Sequence, residues 1–409
     1  MVDPYFWSNR PLTLARLRDI AAKAHARGLG WAWLRLRKEL RQPETTQGIR
    51  LRRVNVLLYA GLLNLLSLLP AALFRLVGTR RRTLALFYDL DIASLTFDIV
   101  DYLMLAELER RRLGLDAVHV VIVPGRTGGL RQEAEHYDKV VDQHARQWRL
   151  HNLIVPMFAL FPNVAGYTIC SDRRHATLVR LLFPRAVHPP GYWPAFPIVP
   201  VRRLVFGAAR EGKAIFPGVQ VPAQALRFVA QWLAARIGGR KPIVITLRQY
   251  GYMPSRNSNV SAWIEFARRL DKTRYAPVFV QDVSAAMAAT PPELDAFPVF
   301  REAPFNMILR GALYERAWLN ICQAHGPTEL MWYNERCRYA IFLTVGSSPE
   351  TELETLRGYG IEANESPPFA TKLQKWVWAM DDLETIEREF TLMEAAIERA
   401  ESGQGSGQG

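Results

Sequence analysis

Short apolar runs typical of β-strands alternate with helical stretches along most of this sequence. The runs are LALFYDL (84–90), VHVVIVPG (118–125), GYTIC (166–170), PIVITL (242–247), APVFVQD (276–282), WLNIC (318–322) and RYAIFLTV (338–345). Because strands and helices that alternate at this spacing form βαβ units, the pattern predicts an α/β protein built on parallel sheets. A further strand is expected at 153–156, and an amphipathic helix is expected over 371–400.

A proline-rich stretch divides the alternating pattern into two halves. Eight prolines fall between residues 182 and 222, which is typical of a crossover between domains. We therefore predict an N-terminal α/β domain over 83–200 and a C-terminal α/β domain over 201–400. The glycine-rich end of the chain, 401–409, is expected to be a disordered tail.

The excess of positive charge is concentrated in the N-terminal segment. Residues 1–82 hold 16 Lys/Arg and four Asp/Glu, a net charge of +12, whereas the rest of the chain holds 36 and 35. A basic groove across the body of the protein is therefore not indicated, and no nucleic-acid partner is expected. The helical pattern at 11–41 places arginines beside Trp31 and Trp33, which suits either a helix at an anionic membrane surface or an ordinary surface helix.

Residues 54–74 form an uncharged run of 21 residues between two arginine clusters. The length approaches that needed to span a bilayer, but positive clusters on both sides disfavour a spanning helix. Pro70 and Asn64 suit an element that enters the membrane from one side. Three interpretations stay open: a monotopic element, which we favour, a spanning helix, and a buried helix or dimer seam. We predict that 1–82 is a basic helical membrane-associating segment, peripheral or monotopic.

The cysteines limit the location of the protein and the kinds of metal site. Cys170, Cys322 and Cys337 are too few for a disulfide scaffold and lack the spacing of a zinc finger. They favour a reducing, cytosolic environment. Together with the N-terminal segment, they predict a protein at the cytoplasmic face of the inner cell membrane.

Polar residues follow the first two predicted strands. Asp89 and Asp91 come after the first strand, and the loop Gly125–Gly129 comes after the second. Ligands of parallel sheets bind beyond the carboxyl ends of the strands, and a glycine-rich loop there lets backbone N–H groups approach an anion. Asp91 is the first candidate for a catalytic base and Glu133 is the second. The alternative for Asp91 is an ordinary loop or helix-start residue, and the alternative for Glu133 is a solvated position on a helix.

The most informative stretch, ITLRQYGYMPSRNSN, lies in the second half. Arg248 stands where a buried strand ends, and Arg256 follows eight residues later. Two arginines so placed suit a diphosphate, because guanidinium groups bind phosphate oxygens in pairs. Tyr250 and Asn257 belong to the same polar loop. We predict that the loop binds a ligand; a structural arginine paired with an acid is the alternative.

A second candidate binding segment is the turn His325-Gly326-Pro327-Thr328-Glu329 after the strand WLNIC. It leads into a predicted helix, whose N-terminal N–H groups would favour a phosphate. Glu329 is placed to accept hydrogen bonds from ribose hydroxyls. The alternatives are a plain N-cap for Thr328 and a hydrogen-bonded loop histidine for His325.

The order of elements over roughly 83–400 resembles the GT-B glycosyltransferases, which have two Rossmann-like domains facing each other across a cleft. Locally, ITLRQYGYMPSRN resembles the basic strand-end motif of the protein O-fucosyltransferase and bacterial α1,6-fucosyltransferase group. The resemblance implies that Arg248 holds the nucleotide diphosphate. This sequence has Thr246 where that group has a histidine, and it lacks the group's Arg-Gly-Asp. The turn 325–329 is similar to the GT-B donor turn.

The resemblance implies a membrane-associated glycosyltransferase that moves a sugar from a nucleotide-sugar donor to a lipid-linked or surface-polysaccharide acceptor. No metal ion and no cofactor are expected, because arginines can neutralise the leaving diphosphate. Two alternatives stay open. One is a nucleotide-sugar epimerase of the same fold, and the other is a non-catalytic membrane-bound assembly partner. The oligomeric state is also open, since 54–74 would suit a dimer seam.

Overall fold

The computed structural model describes most of the chain beyond residue 81 and part of the segment before it. The described residues are 82–133, 135–183, 185–198, 203–287, 291–346, 351–405, the stretch 61–77, and positions 18, 21–26, 28, 30, 32, 33, 54 and 57–59. The helix expected at 11–41 and the arginines at 50–53 and 80–81 therefore fall largely or wholly outside the described residues.

The chain divides into two compact units. Unit 1 contains Met1–Ser94, Leu108–Gln132 and Ala165–Val201, and unit 2 contains Leu95–Glu107, Glu133–Val164 and Arg202–Gly409. Two segments from the first half of the chain thus belong to unit 2. Tyr333 Oη donates a buried hydrogen bond to Asp101 Oδ1 in the first of them at 2.6 Å, and Asn163 Nδ2 in the second donates a part-buried one to Glu107 Oε1 in the first at 3.1 Å.

Unit 1 is built on a four-stranded sheet with the strand order β3-β2-β1-β4. Its strands are β1 (Thr83–Asp89), β2 (Ala117–Val123), β3 (Val164–Ile169) and β4 (Val187–His188). Strand β1 runs parallel to both β2 and β4, and all its residues after the first are buried. Phe87 stacks on Tyr192 with ring centroids 4.7 Å apart. A strand covered on both faces needs such a continuous apolar run, which explains its clear sequence signal.

Unit 2 is built on a five-stranded sheet with the strand order β6-β5-β7-β8-β9. Its strands are β5 (Lys241–Thr246), β6 (Tyr275–Val280), β7 (Leu319–Gln323), β8 (Tyr339–Phe342) and β9 (Gln374–Val377). All four neighbouring pairs are parallel. Trp263 packs edge-on against Phe342 with centroids 5.4 Å apart, in the core between the sheet and its helices. The two sheets confirm the α/β class with parallel strands.

Helices precede and follow the strands in both units. The α-helices are α1 (Leu68–Val77), α2 (Ile99–Arg112), α3 (Glu135–Asp138), α4 (Gln143–Arg149), α5 (Val155–Met157), α6 (Arg173–Leu181), α7 (Arg203–Arg210), α8 (Ala223–Ile237), α9 (Val260–Arg269), α10 (Val283–Met287), α11 (Met307–Arg316), α12 (Glu329–Trp332), α13 (Leu353–Gly358) and α14 (Leu383–Gly405). Short 3₁₀ turns occur at Phe158–Leu160, Pro254–Arg256, Pro292–Leu294 and Gly326–Thr328.

Two expected elements are wrong. The expected strand at 153–156 is helical: a π-turn, Leu150–Ile154, continues α4 and runs into α5. A short apolar run does not distinguish a buried strand from a buried helix, and this one extends an existing helix. The expected helix over 371–400 begins with strand β9 instead, and α14 starts only after Asp382, whose carboxylate accepts from Thr385 N at 2.9 Å. Helix α14 continues to Gly405, past the expected boundary at 400.

The helical residues between 57 and 77 have two contrasting faces. On one face, Tyr59 packs edge-on against Trp193 at 6.0 Å, and Ser67 and Ala71 are buried in unit 1. The opposite face carries leucines that are half to three-quarters exposed, namely Leu58, Leu62, Leu65, Leu69 and Leu73. Of the helices that the structure describes, none is both long enough and apolar enough to cross a membrane.

Candidate functional site

Unit 2 contains a cavity of about 470 Å³ where strands β5, β6 and β7 end. Its wall includes residues that directly follow these strands: Arg248 after β5, Asp282 after β6, and the turn 324–329 after β7. Every residue of the lining belongs to unit 2. The volume is in the range of small-molecule sites, and the carboxyl edge of a parallel sheet is the usual position for one.

Arg248 organises the loop that follows β5. Its Nη1 donates to Met253 O at 3.0 Å and to Asn257 Oδ1, and its Nη2 donates to Tyr252 O at 2.6 Å. Three of the five N–H bonds of this guanidinium are thus used inside the loop. Burial, followed by repulsion from Arg256, lowers the pKa of Arg248 to about 10, so the group stays charged at neutral pH.

Asn257 is the second organiser of this loop and does not itself line the cavity. Its Oδ1 accepts from Tyr250 N at 3.0 Å as well as from Arg248, and its Nδ2 donates to Tyr250 O at 3.1 Å. The side-chain amide of Asn257 therefore hydrogen-bonds to both the N–H and the C=O of Tyr250. This geometry gives Asn257 a role in shaping the loop, whereas the sequence placed it among the ligand-binding residues.

Arg256 and Tyr250, both predicted binding residues, line the cavity. The Nη2 of Arg256 donates to Ala324 O at 3.3 Å, which ties the β5 loop to the turn after β7. The Oη of Tyr250 accepts from Arg149 Nη2 at 2.7 Å, and both Arg149 and Arg248 lie 5.7 Å from the centre of its ring. Two cations thus lie within about 6 Å of the centre of one aromatic ring in the cavity wall.

The turn after β7 brings His325, Gly326, Thr328 and Glu329 into the lining. The loop after β5 and this turn, both predicted binding segments, therefore line the same cavity. The helix that follows is short, a 3₁₀ turn and the four residues of α12. The N–H of Thr328 donates to His325 O at 3.0 Å, and the Thr328 hydroxyl donates to the same oxygen at 2.6 Å. The expected phosphate site on a helix N-terminus is therefore weak, since the N–H of Thr328 is already used and the dipole is small.

His325 is a neutral imidazole inside the cavity wall. Its ring Nδ1 lies 2.6 Å from Gln323 O, which requires the proton on Nδ1 and leaves a lone pair on Nε2. Burial, together with repulsion from Arg310, lowers the pKa of His325 to about 3. The buried Nε2 has no hydrogen-bond partner. The ring is therefore ready to accept a hydrogen bond from a bound molecule.

At Gly326 the backbone lies so close to the ring of Phe97 that a side chain would not fit without moving the ring. A Cβ built at this position would lie 2.8 Å from Cδ2 of Phe97, which also lines the cavity. Any larger residue would push the Phe97 ring, since such contacts are normally no closer than about 3.4 Å. The glycine therefore lets the turn after β7 lie directly against the segment 95–98.

Three carboxylates line the cavity, and their exposure differs. Asp282 accepts from Gln249 N at 2.8 Å, and burial raises its pKa even though arginines act in the opposite direction. Glu329 is the most buried of the three, at 4% exposure. Asp98, at the start of helix α2, is partly exposed, as Asp282 is. A carboxylate that must reach an acceptor hydroxyl needs such access, and Asp98 was not among the sequence candidates.

Asp91 and Glu133, the two sequence candidates for a catalytic base, are not among the residues that line this cavity. Asp91 belongs to unit 1, where its carboxylate accepts from the backbone N of Arg126 at 2.9 Å and forms an ion pair with that arginine's side chain. Glu133 is half-buried in unit 2. Asp89 is held by two parallel 2.7 Å hydrogen bonds from Arg173 and accepts from Tyr192 Oη at 2.5 Å.

Aromatic side chains form another part of the lining. The ring centres of Trp332 and Trp376 lie 5.2 Å apart, and both side chains are almost fully buried. Tyr359 and Phe206, whose ring centres lie 6.0 Å apart, also line the cavity. Residues from 137–157 add apolar surface, including Trp148, which is 40% exposed. The cavity therefore combines a cationic part with aromatic surface. Among the described residues, no group of three or more His, Cys, Asp or Glu is arranged to hold a metal ion.

One solved structure with a similar fold is a glycosyl transferase. A family 9 glycosyl transferase from Veillonella parvula has a TM-score of 0.51 and 10% identity, with 78% of this chain and 97% of that chain covered. The chain shares the fold of that glycosyl transferase. The GT-B fold expected from the order of elements is thereby confirmed.

Two further structures are similar at lower scores. E. coli ADP-heptose LPS heptosyltransferase II has a TM-score of 0.48 and 10% identity, with 78% and 99% coverage of the two chains. The NodZ α-1,6-fucosyltransferase soaked with GDP-fucose has a TM-score of 0.31 and 15% identity, with 63% and 93% coverage. Neither a protein-family model nor a curated protein sequence matches the chain.

Sequence reasoning missed several residues of the cavity in this GT-B fold, among them Asp98, Arg149, Asp282 and Arg310. Arg310 had a readable signal. It lies three residues after Met307 and four before Tyr314, both buried, so it falls on the apolar face of helix α11. An arginine on the buried face of a helix is unusual unless it is paired with another group, so it indicates a candidate site residue. Asp98 precedes a helix and reads as an ordinary helix-start residue.

Proposed function

We propose that the protein is a glycosyltransferase that binds a nucleotide-sugar donor in the cavity of unit 2. The observation that carries this proposal is the set of four arginines, Arg149, Arg248, Arg256 and Arg310, at the carboxyl edge of the parallel sheet. A donor diphosphate carries two negative charges, and arginines stabilise the charge that develops on it as the sugar leaves. The shared fold with a glycosyl transferase supports the same reaction class.

The aromatic part of the cavity is suited to the nucleoside. Trp332, Trp376 and Tyr359 offer ring faces for a base, and ring stacking does not require a particular base. Glu329, which lines the cavity at the turn after β7, would accept hydrogen bonds from the ribose hydroxyls. We propose this arrangement for the donor nucleoside, with Arg256 and Arg310 nearer to its phosphates.

For the catalytic base we propose Asp98 ahead of Asp91 and Glu133. Asp98 lines the cavity and is partly exposed, whereas Asp91 is paired with Arg126 in unit 1. In an inverting transfer, the base would take the proton of the acceptor hydroxyl while that oxygen forms the new bond to the sugar and the nucleoside diphosphate leaves. No metal ion is needed for this step, because the arginines compensate the charge of the leaving group.

We further propose that the acceptor is lipid-linked or a surface polysaccharide and that the protein works at the cytoplasmic face of the cell membrane. Two features support this. The exposed leucines of 58–73 form an apolar face opposite the side that packs on unit 1, and the flanking sequence is strongly basic. A helix with this character lies in the interface of an anionic bilayer.

The test combines binding and turnover. We expect one of UDP, GDP, CDP or ADP to raise the melting temperature of the purified full-length protein. The matching nucleotide-sugars should then yield free nucleoside diphosphate in the presence of lipid-linked glycan extracts. Asp98→Asn should lower kcat by at least 100-fold without changing donor affinity, while Asp91→Asn and Glu133→Gln serve as the alternatives. Failure of every nucleotide to bind would refute the proposal, and an epimerised sugar without acceptor would favour the epimerase.

A further inference from the structure

Arg310 is a buried cation that forms no direct ion pair with any described carboxylate. The residue is 1% exposed, and its Nε donates to Tyr314 Oη at 2.9 Å. Its Nη2 is buried and has no hydrogen-bond partner. Among the described residues, no carboxylate lies within ion-pairing distance of this guanidinium. The side chain nevertheless lines the cavity of unit 2.

The neighbours of Arg310 respond to its charge. Burial raises the pKa of the Asp282 carboxyl, and the positive charge of Arg310 acts in the opposite direction. Burial lowers the pKa of His325, and the charge of Arg310 lowers it further. Its charge therefore reaches the ends of both β6 and β7. His325 Nε2, which also has no hydrogen-bond partner, adds an acceptor to the same region.

An unpaired buried guanidinium is costly, because the desolvation of a charge is repaid only by a close counter-ion and satisfied hydrogen bonds. Within helix α11 the guanidinium contacts Tyr314, through the Nε hydrogen bond and at 5.8 Å from the centre of the ring, but these contacts supply no negative charge and leave Nη2 without a partner. A protein keeps such a charge when a ligand supplies the counter-ion. A ligand with oxygen anions and an adjacent hydroxyl would satisfy both Arg310 and His325.

We propose that Arg310 binds the phosphate oxygens of the nucleotide-sugar diphosphate and that His325 Nε2 accepts a hydrogen bond from a donor hydroxyl beside it. This inference rests on the proposed function and names the residue that grips the leaving group. It assigns Arg248 a different part: Arg248 shapes the loop, and Arg310, whose Nη atoms are not used by the fold, contacts the phosphate.

The test compares Arg310→Met with Arg316→Met. Both variants remove one positive charge from helix α11, but Arg316 is exposed and outside the cavity. Calorimetric titrations use inorganic pyrophosphate, the nucleoside diphosphate that best stabilises the wild type, and the corresponding nucleoside. Arg310→Met should weaken diphosphate and pyrophosphate binding 10- to 100-fold and change nucleoside binding less than 2-fold. Its melting temperature without ligand should be equal to or above that of the wild type.

Other outcomes would overturn the inference. Equal losses for nucleoside and diphosphate would show that the cavity had collapsed, and unchanged diphosphate affinity would make Arg310 structural. In a parallel titration with nucleotide-sugars, a loss confined to donors with an acidic sugar would place a sugar carboxylate, not a phosphate, at Arg310. Arg310→Lys keeps the charge and tests the fork geometry; it should retain the fold and recover part of the affinity. Diphosphate binding that depends on Arg310 without any sugar transfer would support the inference and refute the proposed function.

Discussion

His188 is a buried histidine whose neutral form is needed by unit 1. It ends strand β4, pairs in register with Leu86 of β1 and is 6% exposed. Neither ring nitrogen has a hydrogen-bond partner. Burial lowers its pKa to about 4, with Glu109 acting weakly in the opposite direction. A charged imidazole at this position would be both desolvated and unpaired.

The magnitude of the resulting pH effect follows from linkage. In the unfolded chain a histidine titrates near pH 6.5, so unfolding takes up a proton between pH 6.5 and about 4. The stabilising effect is complete above pH 6.5 and is lost as the pH falls through the folded-state value. One pKa unit corresponds to about 1.4 kcal/mol, so acidification from pH 7 to pH 4 should cost about 3 kcal/mol through His188 alone.

The assay is urea unfolding of the wild type and of His188→Leu at pH 7, 6, 5 and 4. Leucine fills a similar volume and cannot be protonated, so the variant should not lose stability through this position on acidification. The free energy of unfolding of His188→Leu minus that of the wild type should therefore be about 2 to 3 kcal/mol larger at pH 4 than at pH 7. His144→Leu removes an exposed ring and is the control. The reasoning would be refuted if the free energies of unfolding of His188→Leu and the wild type differed by the same amount at every pH from 7 to 4.

Three further predictions follow from single contacts. In thermal melting, Gly125→Ala should destabilise unit 1 by about 3 kcal/mol or more, because the new Cβ would overlap Leu130 O; Gly166→Ala, whose Cβ meets only ordinary contacts, should be tolerated. Asn257→Ala should weaken nucleoside diphosphate binding about 10-fold in calorimetry, since it frees the loop backbone. Replacing Leu65 and Leu69 with serine should reduce cosedimentation with anionic vesicles about 10-fold or more; unchanged binding would remove the exposed leucine face from the membrane proposal.

Most strands of the two sheets, though not β4 and β9, could be predicted from the sequence, and the reason is physical. Parallel strands buried on both faces require continuous apolar runs, so PIVITL and APVFVQD stand out and correspond to β5 and β6. Shorter runs were less decisive. The run at 153–156 has the same composition as a strand but prolongs helix α4, while β9 is so short that the amphipathic pattern around it suggested a helix.

Part of the candidate site could be predicted because parallel strands end at one edge of a sheet. Arg248, Tyr250 and Arg256 after β5, and the turn 325–329 after β7, were therefore expected near each other, and they line one cavity. The segments 95–98 and 137–157 could not be placed, because they precede the second half of the chain and join unit 2 only through tertiary contacts. Asp98 and Arg149 were missed for that reason.

The structure also changes how the arginine of the strand-end motif must be tested. The resemblance implies that Arg248 holds the diphosphate, so loss of binding in Arg248→Ala would be taken as support. Three of its hydrogen bonds, however, hold Met253, Tyr252 and Asn257 in place, and their loss would deform the loop with or without a ligand. Asn257→Ala loosens the same loop without removing a charge.

The comparison of the two variants separates the two roles of the arginine. If Arg248→Ala weakens diphosphate binding no more than Asn257→Ala does, Arg248 acts through the loop and the phosphate is bound by Arg256 and Arg310. A larger loss in Arg248→Ala, and a salt dependence that falls with the removed charge, would assign its two remaining N–H bonds to the phosphate. Arg248 would then both hold the loop in place and bind the phosphate. A sequence resemblance alone does not distinguish these two roles.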